Sequence, residues 1–451
     1  MQTFSGLVLC LAAFSPGRAQ EPNSAPGVGL GPIPLSLRQA VDFALAPDGD
    51  ARVALAAELV EQTRQRRLQT RAALLPQLDS SISQQNIVRN LAAFGLRVQS
   101  PLPGFSIPSI VGPFNVFDAR VTATQTIFDL AAIKRDQAAR LQTEAARSGG
   151  ADTRQQTTAA VARAYVSAQL AQQRYETAES DVALASELVK SAENRLKAGA
   201  GVRIEATRAQ VQLADRKRQL LEARTQSRAA ELQLARMLGL SFDRPIELTT
   251  PLEQPLPPEP EQSAPIEDTL EHRADWKTQM LRQEAADRSD SAVRWERLPS
   301  LTAFGDYGTI GSSVTNAQPT RTIGASLRIP VFDGGRREAR RSETASLARQ
   351  ESIRTRDLRR QIEMEVRLTA DSLATAAEQV EVAKAGLELA EEEQERAKRR
   401  YEAGVGTSLE ATDAQTRLAR ARQNVVDALG LYNLARIDWS EARGRIESVI
   451  P

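Results

Sequence analysis

Two long stretches of the chain place small or apolar residues alternately three and four positions apart, the spacing of a helix seam in heptad register. In the first, the seam runs through Ala164, Ala168, Ala171, Tyr175, Ala178, Val182, Ala185, Val189, Ala192 and Leu196. In the second it runs from Ile362 and Val366 through Leu373, Ala376, Val380 and Ala390 to Tyr401. Each seam stops at a glycine pair and then resumes, with Ala206, Ala209 and Leu213 in one case and Ala411, Ala414 and Leu418 in the other. The pattern predicts two helical hairpins, with Gly199 and Gly201, and Gly404 and Gly406, supplying the positive backbone angles of the turns. Alanine at so many seam positions means closely approaching axes and little burial per residue. Such helices need many neighbours.

Ahead of each hairpin the period falls to two. In "RTIGASLRIPVFDGG", Ile323, Ala325, Leu327, Ile329 and Val331 alternate with Thr322, Gly324, Ser326 and Arg328. In "DARVTATQTIFDLAA", Ala119, Val121, Ala123, Gln125 and Ile127 face away from Thr122, Thr124 and Thr126. Each run pairs with an extended stretch that begins after Pro76 or Pro299, where a helix must stop. Strands of about ten residues suit a tilted membrane β-strand. Four strands are too few to close a barrel, and open edges are not viable in lipid, so several chains must pool theirs. A small soluble four-stranded sheet capping a coiled coil is the alternative.

The chain is written twice. "GAGVRIEATRAQ" from Gly199 returns as "GVGTSLEATDAQ" from Gly404, "TIFDLAAIKRDQAARLQ" parallels "PVFDGGRREARRSETA", and "LLPQLDSSIS" parallels "RLPSLTAFGD", all in the same order. The expected organisation has a signal peptide at 1–19, an N-terminal leader at 20–35 and a first repeat at 36–240, with strands near 77–89 and 117–128 and a hairpin near 129–239. A Pro-rich linker at 241–265 leads to a second repeat at 266–443, with strands near 300–310 and 321–331, a hairpin near 334–443 and a tail at 444–451. An unbroken helix from 129 to 197, or from 334 to 402, would measure about 100 Å.

Composition narrows the function. Charged residues are 25% and aromatics 4% of 451 residues, a mixture suited to long helices, and the net charge of +1 provides no field for nucleic acid. The opening "MQTFSGLVLCLAAFSPGRAQ" has a short apolar run and small residues before Gln20, as a cleaved signal does. Its Cys10, the sole cysteine, follows Leu9 where a lipoprotein signal wants a small residue, so an unlipidated mature chain without thiols is expected. The single His272 has no His or Cys partner at ligand spacing, and no phosphate loop, nucleophile elbow or zinc signature is present in the sequence. No enzyme activity, metal or cofactor is expected.

The ordered, duplicated motifs resemble the TolC-like outer-membrane efflux proteins. They include "LSLRQAVDFAL", the Leu-Pro-x-Leu before each first strand, the Phe-Asp after each second strand, and "RRYEAGVGTSLEATDAQ". The resemblance implies a mainly helical chain that forms a homotrimer, with a twelve-stranded β-barrel in outer-membrane lipid continuing into a long periplasmic α-helical barrel. It also implies docking to a periplasmic adaptor (membrane fusion) protein and an inner-membrane pump of RND, ABC or MFS type, and hence export to the bacterial outer membrane. By the same resemblance, the turns at Gly199, Gly201, Gly404, Gly406 and Thr407 contact the adaptor, while Glu410 and Asp413 form acidic rings at the channel gate beside Tyr401. Gly406 stands where some relatives have a basic residue, and Glu205 and Arg208, in the matching places of the first repeat, suggest an opposite-charge pair. Two rival readings are a periplasmic adaptor and a structural coiled coil of the envelope; adaptors ordinarily carry one hairpin, whereas this chain duplicates both hairpin and strand pair.

Overall fold

The computed structural model describes residues 32–95, 109–199, 202–252 and 266–450. The expected signal segment with Cys10, most of the leader, the Pro-rich stretch 253–265 and Gly201 lie outside the described residues.

Each repeat runs helix, helix, strand, strand, long helix, shorter helix. The first comprises β1 (Ile33–Leu35), α1 (Leu37–Leu45), α2 (Ala51–Ala72), β2 (Gln77–Asn90), β3 (Ile110–Phe128), α3 (Leu130–Lys197) and α4 (Arg203–Met237). After β4 (Ile246–Leu248) the second follows as α5 (Ile266–His272), α6 (Ala274–Trp295), β5 (Ser300–Gly311), β6 (Gln318–Arg328), α7 (Arg336–Glu402) and α8 (Ser408–Ala442). The duplication is metrically close: α3 and α7 have 68 and 67 residues, and α4 and α8 have 35 each.

The Phe-Asp motifs start the long helices. Asp129 caps α3 by accepting the Ala132 N–H at 3.0 Å, and Asp333 accepts the Arg337 N–H at 3.1 Å through its carboxylate. A carboxylate there satisfies an orphan amide and sits favourably at the positive end of the helix dipole. The heptad seam is visible in the burial of α7, where Ile362, Ala376, Val380, Ala390 and Tyr401 are buried among exposed neighbours. Helix α3 packs against α2, α4, α6 and α8 and so joins the two repeats. Charged cross-links reinforce the α3–α8 contact: Arg163 Nε lies 2.7 Å from Asp438, and Arg174 Nη2 lies 2.6 Å from Asp427.

The largest apolar core lies partway along α3, where Val161, Ala162 and Tyr165 meet Leu35, Ala40, Ala44, Leu234 and Ile437. The leader and linker contribute more than connection. β1 and β4 pair in parallel, Ile33 with Ile246 and Leu35 with Leu248. Tyr165 clamps this pair, its hydroxyl donating to the Leu35 carbonyl at 2.8 Å and accepting from the Thr250 N–H at 3.0 Å. A buried phenol with both roles filled carries no desolvation penalty for an orphan polar group.

The other sheet is antiparallel in the order β2-β3-β5-β6, so the two repeats join through β3 and β5. One face carries Leu78, Ile82, Val121, Ile323 and Leu327, all exposed, with Ile323 at 83%. The opposite face carries Ser81, Ser83, Thr122, Thr320 and Thr322 together with Asp79, Asp118, Arg120 and Asp306. The strand limits differ from the sequence expectation chiefly in β3 and in β6, which starts at Gln318 and not near 321. β3 begins at Ile110, extending the hairpin with β2, whereas β6 ends at Arg328 and leaves Ile329 and Val331 beyond it. Pro330 lacks the N–H a ladder needs, and Val331 is 90% exposed. Among the described residues, no helix is long and apolar enough to cross a membrane.

Candidate functional site

Both hairpins turn at the far end of the long helices from the sheet. Gly199 (φ 72°) and Gly404 (φ 77°) close α3 and α7 in the left-handed conformation that glycine adopts without penalty. Gly406 does not share that conformation, contrary to expectation. A Cβ placed on it would sit 3.0 Å from Arg400 C and Cβ and from Tyr401 N, so glycine is needed there for close approach as its N–H bonds the Arg400 carbonyl at 2.9 Å. Gly201 lies outside the described residues. Thr407 is the N-cap of α8: its hydroxyl accepts the Glu410 N–H at 3.2 Å, whereas Val202 at the start of α4 caps with no side chain.

All four hairpin helices meet around Tyr401. Leu188 and Ala192 of α3, Ala206 and Ala209 of α4, and Ala411 of α8 surround its ring, leaving it 3% exposed. Arg195, in the last turn of α3, crosses to the other hairpin. Its guanidinium carbon stands 4.6 Å from the Tyr401 ring centroid, and its Nη1 donates to the Tyr401 carbonyl at 2.7 Å. That carbonyl belongs to the negative end of the α7 dipole, so the contact joins a cation–π interaction to a C-terminal cap. The Tyr401 hydroxyl is buried without a hydrogen-bond partner among the described residues. Burial, helped by the Glu205 charge and opposed by Arg195, pushes the phenol above its ordinary range.

Glu410 and Asp413 are exposed at i, i+3 in the first turns of α8. Glu410 Oε2 lies 3.5 Å from Arg400 Nε, so a base one turn back on α7 serves the acid although Gly406 cannot. The expected Glu205–Arg208 ion pair is absent among the described residues, and the Glu205 charge bears on Tyr401 instead. The tips also present apolar side chains to solvent: Val202, Ile204, Val405 and Leu409, with Val405 at 70% exposure. Sequence reasoning missed Arg195, Arg400 and this apolar set. An aliphatic residue beside a glycine turn, where polar residues are usual, was the available signal.

His272 is partly exposed, its Nδ1 2.8 Å from the Asp268 carbonyl oxygen, and among the described residues no group of acids, histidines or cysteines could hold a metal.

Comparison with known proteins places this geometry. The chain matches the family described as outer membrane efflux protein over residues 49–240 and 266–445, one segment for each repeat. No curated protein matches the sequence. Among solved structures, the fold is similar to the CmeC outer membrane channel of Campylobacter jejuni, with TM-score 0.79 and 17% identity over 91% of this chain and 86% of that one. It is similar also to the outer membrane protein VceC of Vibrio cholerae, with TM-score 0.76 and 18% identity over 90% and 96% of the two chains. The open-state MtrE outer membrane channel of Neisseria gonorrhoeae gives TM-score 0.74 and 18% identity over 91% and 89%. With both matched segments together covering most of its length and following the duplication, this chain belongs to the outer membrane efflux protein family.

Proposed function

We propose that the protein is the passive outer-membrane duct of a tripartite efflux or type I secretion system, working as a homotrimer without catalytic activity of its own. One observation carries this reading: among the described residues, a four-stranded antiparallel sheet has two open edges, β2 and β6, and an aliphatic face backed by a polar one. In lipid such edges must be paired, and three copies joined β6 to β2 make a closed twelve-stranded wall with its polar face inward. The hairpins then continue the wall as a helical tube about 100 Å long into the periplasm. The exposed Val202, Ile204, Val405 and Leu409 are suited to receive a periplasmic adaptor, which in turn engages an inner-membrane pump that supplies the energy.

At the mouth of that tube Glu410 and Asp413 of three chains form stacked acidic rings, restrained by the Arg400 contact and by the Arg195–Tyr401 clasp. Acidic rings favour cations and narrow the passage electrostatically. Purified protein reconstituted in planar bilayers should conduct as an oligomer, and Glu410→Ala with Asp413→Ala should raise conductance or lower cation preference. A monomer that carries no current would overturn the duct; unchanged conductance and selectivity would overturn the gate assignment.

A further inference from the structure

The polar face of the sheet holds a charged cluster that the hairpin tips do not explain. Three consecutive same-face rungs are set by the strand register. Asp79, Thr122, Asp306 and Thr322 lie across one, Ser81, Arg120, Gly308 and Thr320 across the next, and Ser83, Asp118, Ile310 and Gln318 across the third. Arg120 is the centre of the group. Its Nε and Nη2 bind the two Asp118 oxygens at 2.8 and 2.5 Å, and its Nη1 reaches Asp306 on β5 at 3.3 Å.

Gly308 makes this posture possible. It is the direct cross-strand partner of Arg120, and a Cβ there would fall 2.5 Å from Arg120 Cβ and 2.4 Å from the Ala119 carbonyl oxygen. The arginine can therefore lie along the wall, over the strand that joins the two repeats. On the reverse face the same level carries Tyr307 paired with Arg321, whereas further along β6 the reverse face is Ile323, Ala325 and Leu327. An aromatic and a cation beside an aliphatic band are the residues of a membrane–water boundary. On β5 and β6 the cluster thus reaches the end of the band remote from the helices, whereas on β2 and β3 the aliphatic face of Leu78, Ile82 and Val121 runs across the same rungs and the strands continue to Asn90 and Ile110.

We propose that Asp79, Asp118, Arg120 and Asp306 form a second ion-selecting layer within the barrel, separate from the acidic rings at the tips. This rests on the trimeric duct proposed above. Three carboxylates against one guanidinium leave a net negative layer in each chain, and threefold assembly turns it into a ring around the lumen. Arg120 is a positioning residue as well as a partial neutraliser: by holding Asp118 and Asp306 against the wall it limits the charge the lumen presents. Ions and charged solutes are sorted there by a layer that the opening of the tips does not alter.

The test is the reversal potential of single channels under a KCl gradient in planar bilayers, with each variant first shown to be an oligomer. Arg120→Gln should raise the cation-to-anion permeability ratio roughly twofold or more, the effect of one charge acting across about 8 Å of water. Asp118→Asn with Asp306→Asn, which removes two charges, should lower it roughly fourfold or more. Arg120→Lys, which keeps the charge, should return the ratio to the unsubstituted value, an outcome that a merely structural role of the ion pair would not give. The same shifts should persist in channels that also carry Glu410→Ala and Asp413→Ala. Conducting variants with an unchanged ratio, or shifts abolished in the tip-neutral background, would overturn the second layer and leave the duct standing. Absence of current from the unsubstituted oligomer would overturn both.

Discussion

Arg195 and Arg400 occupy equivalent places in the two repeats, one residue before Leu196 and Tyr401, yet they do opposite things. Arg195 leaves its own hairpin to stack on Tyr401 and cap the last turn of α7. Arg400 turns back within its own hairpin to the carboxylate of Glu410. The difference begins with the residue that follows. Tyrosine at 401 offers a π face and fills the four-helix junction, whereas leucine at 196 offers no such face and is only partly buried. One of the two near-identical turns therefore acts as a socket and the other as the plug.

The sharpest way to break this comparison is to empty the socket. Tyr401→Ala should destabilise the tip by about 3–5 kcal/mol, against about 2 kcal/mol for Leu196→Ala, because the ring is nearly fully buried and its cavity cannot collapse among alanines. Hydrogen exchange of the amides from 401 to 411 would read the difference as faster local opening; equal effects at the two positions would refute the asymmetry.

Arg195→Met comes next. It removes a charge-assisted bond and a cation–π contact, with an expected cost of about 2 kcal/mol, and should raise exchange in α7 although the substitution lies in α3. Arg400→Met should cost about 0.5 kcal/mol, since both members of its ion pair are about half exposed and water screens them. A double-mutant cycle with Tyr401→Leu would show coupling for Arg195 and little for Arg400. The smallest effect belongs to the caps. Thr407→Ala should weaken the start of α8 by about 1 kcal/mol, and Val202→Thr should strengthen the start of α4 by up to about that amount. If the valine-to-threonine exchange gives nothing, the two turns differ in backbone as well as in side chain.

Much of this architecture could be read before any coordinates. The seam that reaches Tyr401 marks the buried positions of α7, the Phe-Asp motifs mark the starts of α3 and α7, and the repeated sentence marks the turns. The expected role of Gly406 was different because sequence distinguishes neither of the two reasons for a glycine, left-handed backbone or close approach. β1 and β4 escaped notice because three residues are too few to show a period, and their pairing depends on Tyr165 in a helix far along the chain. Arg195 escaped for a related reason. In a chain with 58 Lys and Arg residues, one more at a helix end looks like a solvated charge.

What the sequence determined alone is everything with a period or a copy: a mainly helical chain, duplicated, with paired strands ahead of paired hairpins. Those features are local, since spacing within one element dictates which face is apolar, and duplication repeats the instruction. Only the tertiary structure decided which equivalent residues stay equivalent. Packing two similar hairpins side by side puts their tips in unequal surroundings, so Arg195 finds a ring and a helix end where Arg400 finds only Glu410. The register of β3 against β5 likewise brings Arg120 over Gly308 and within reach of Asp306, a contact between repeats that no spacing along the chain encodes.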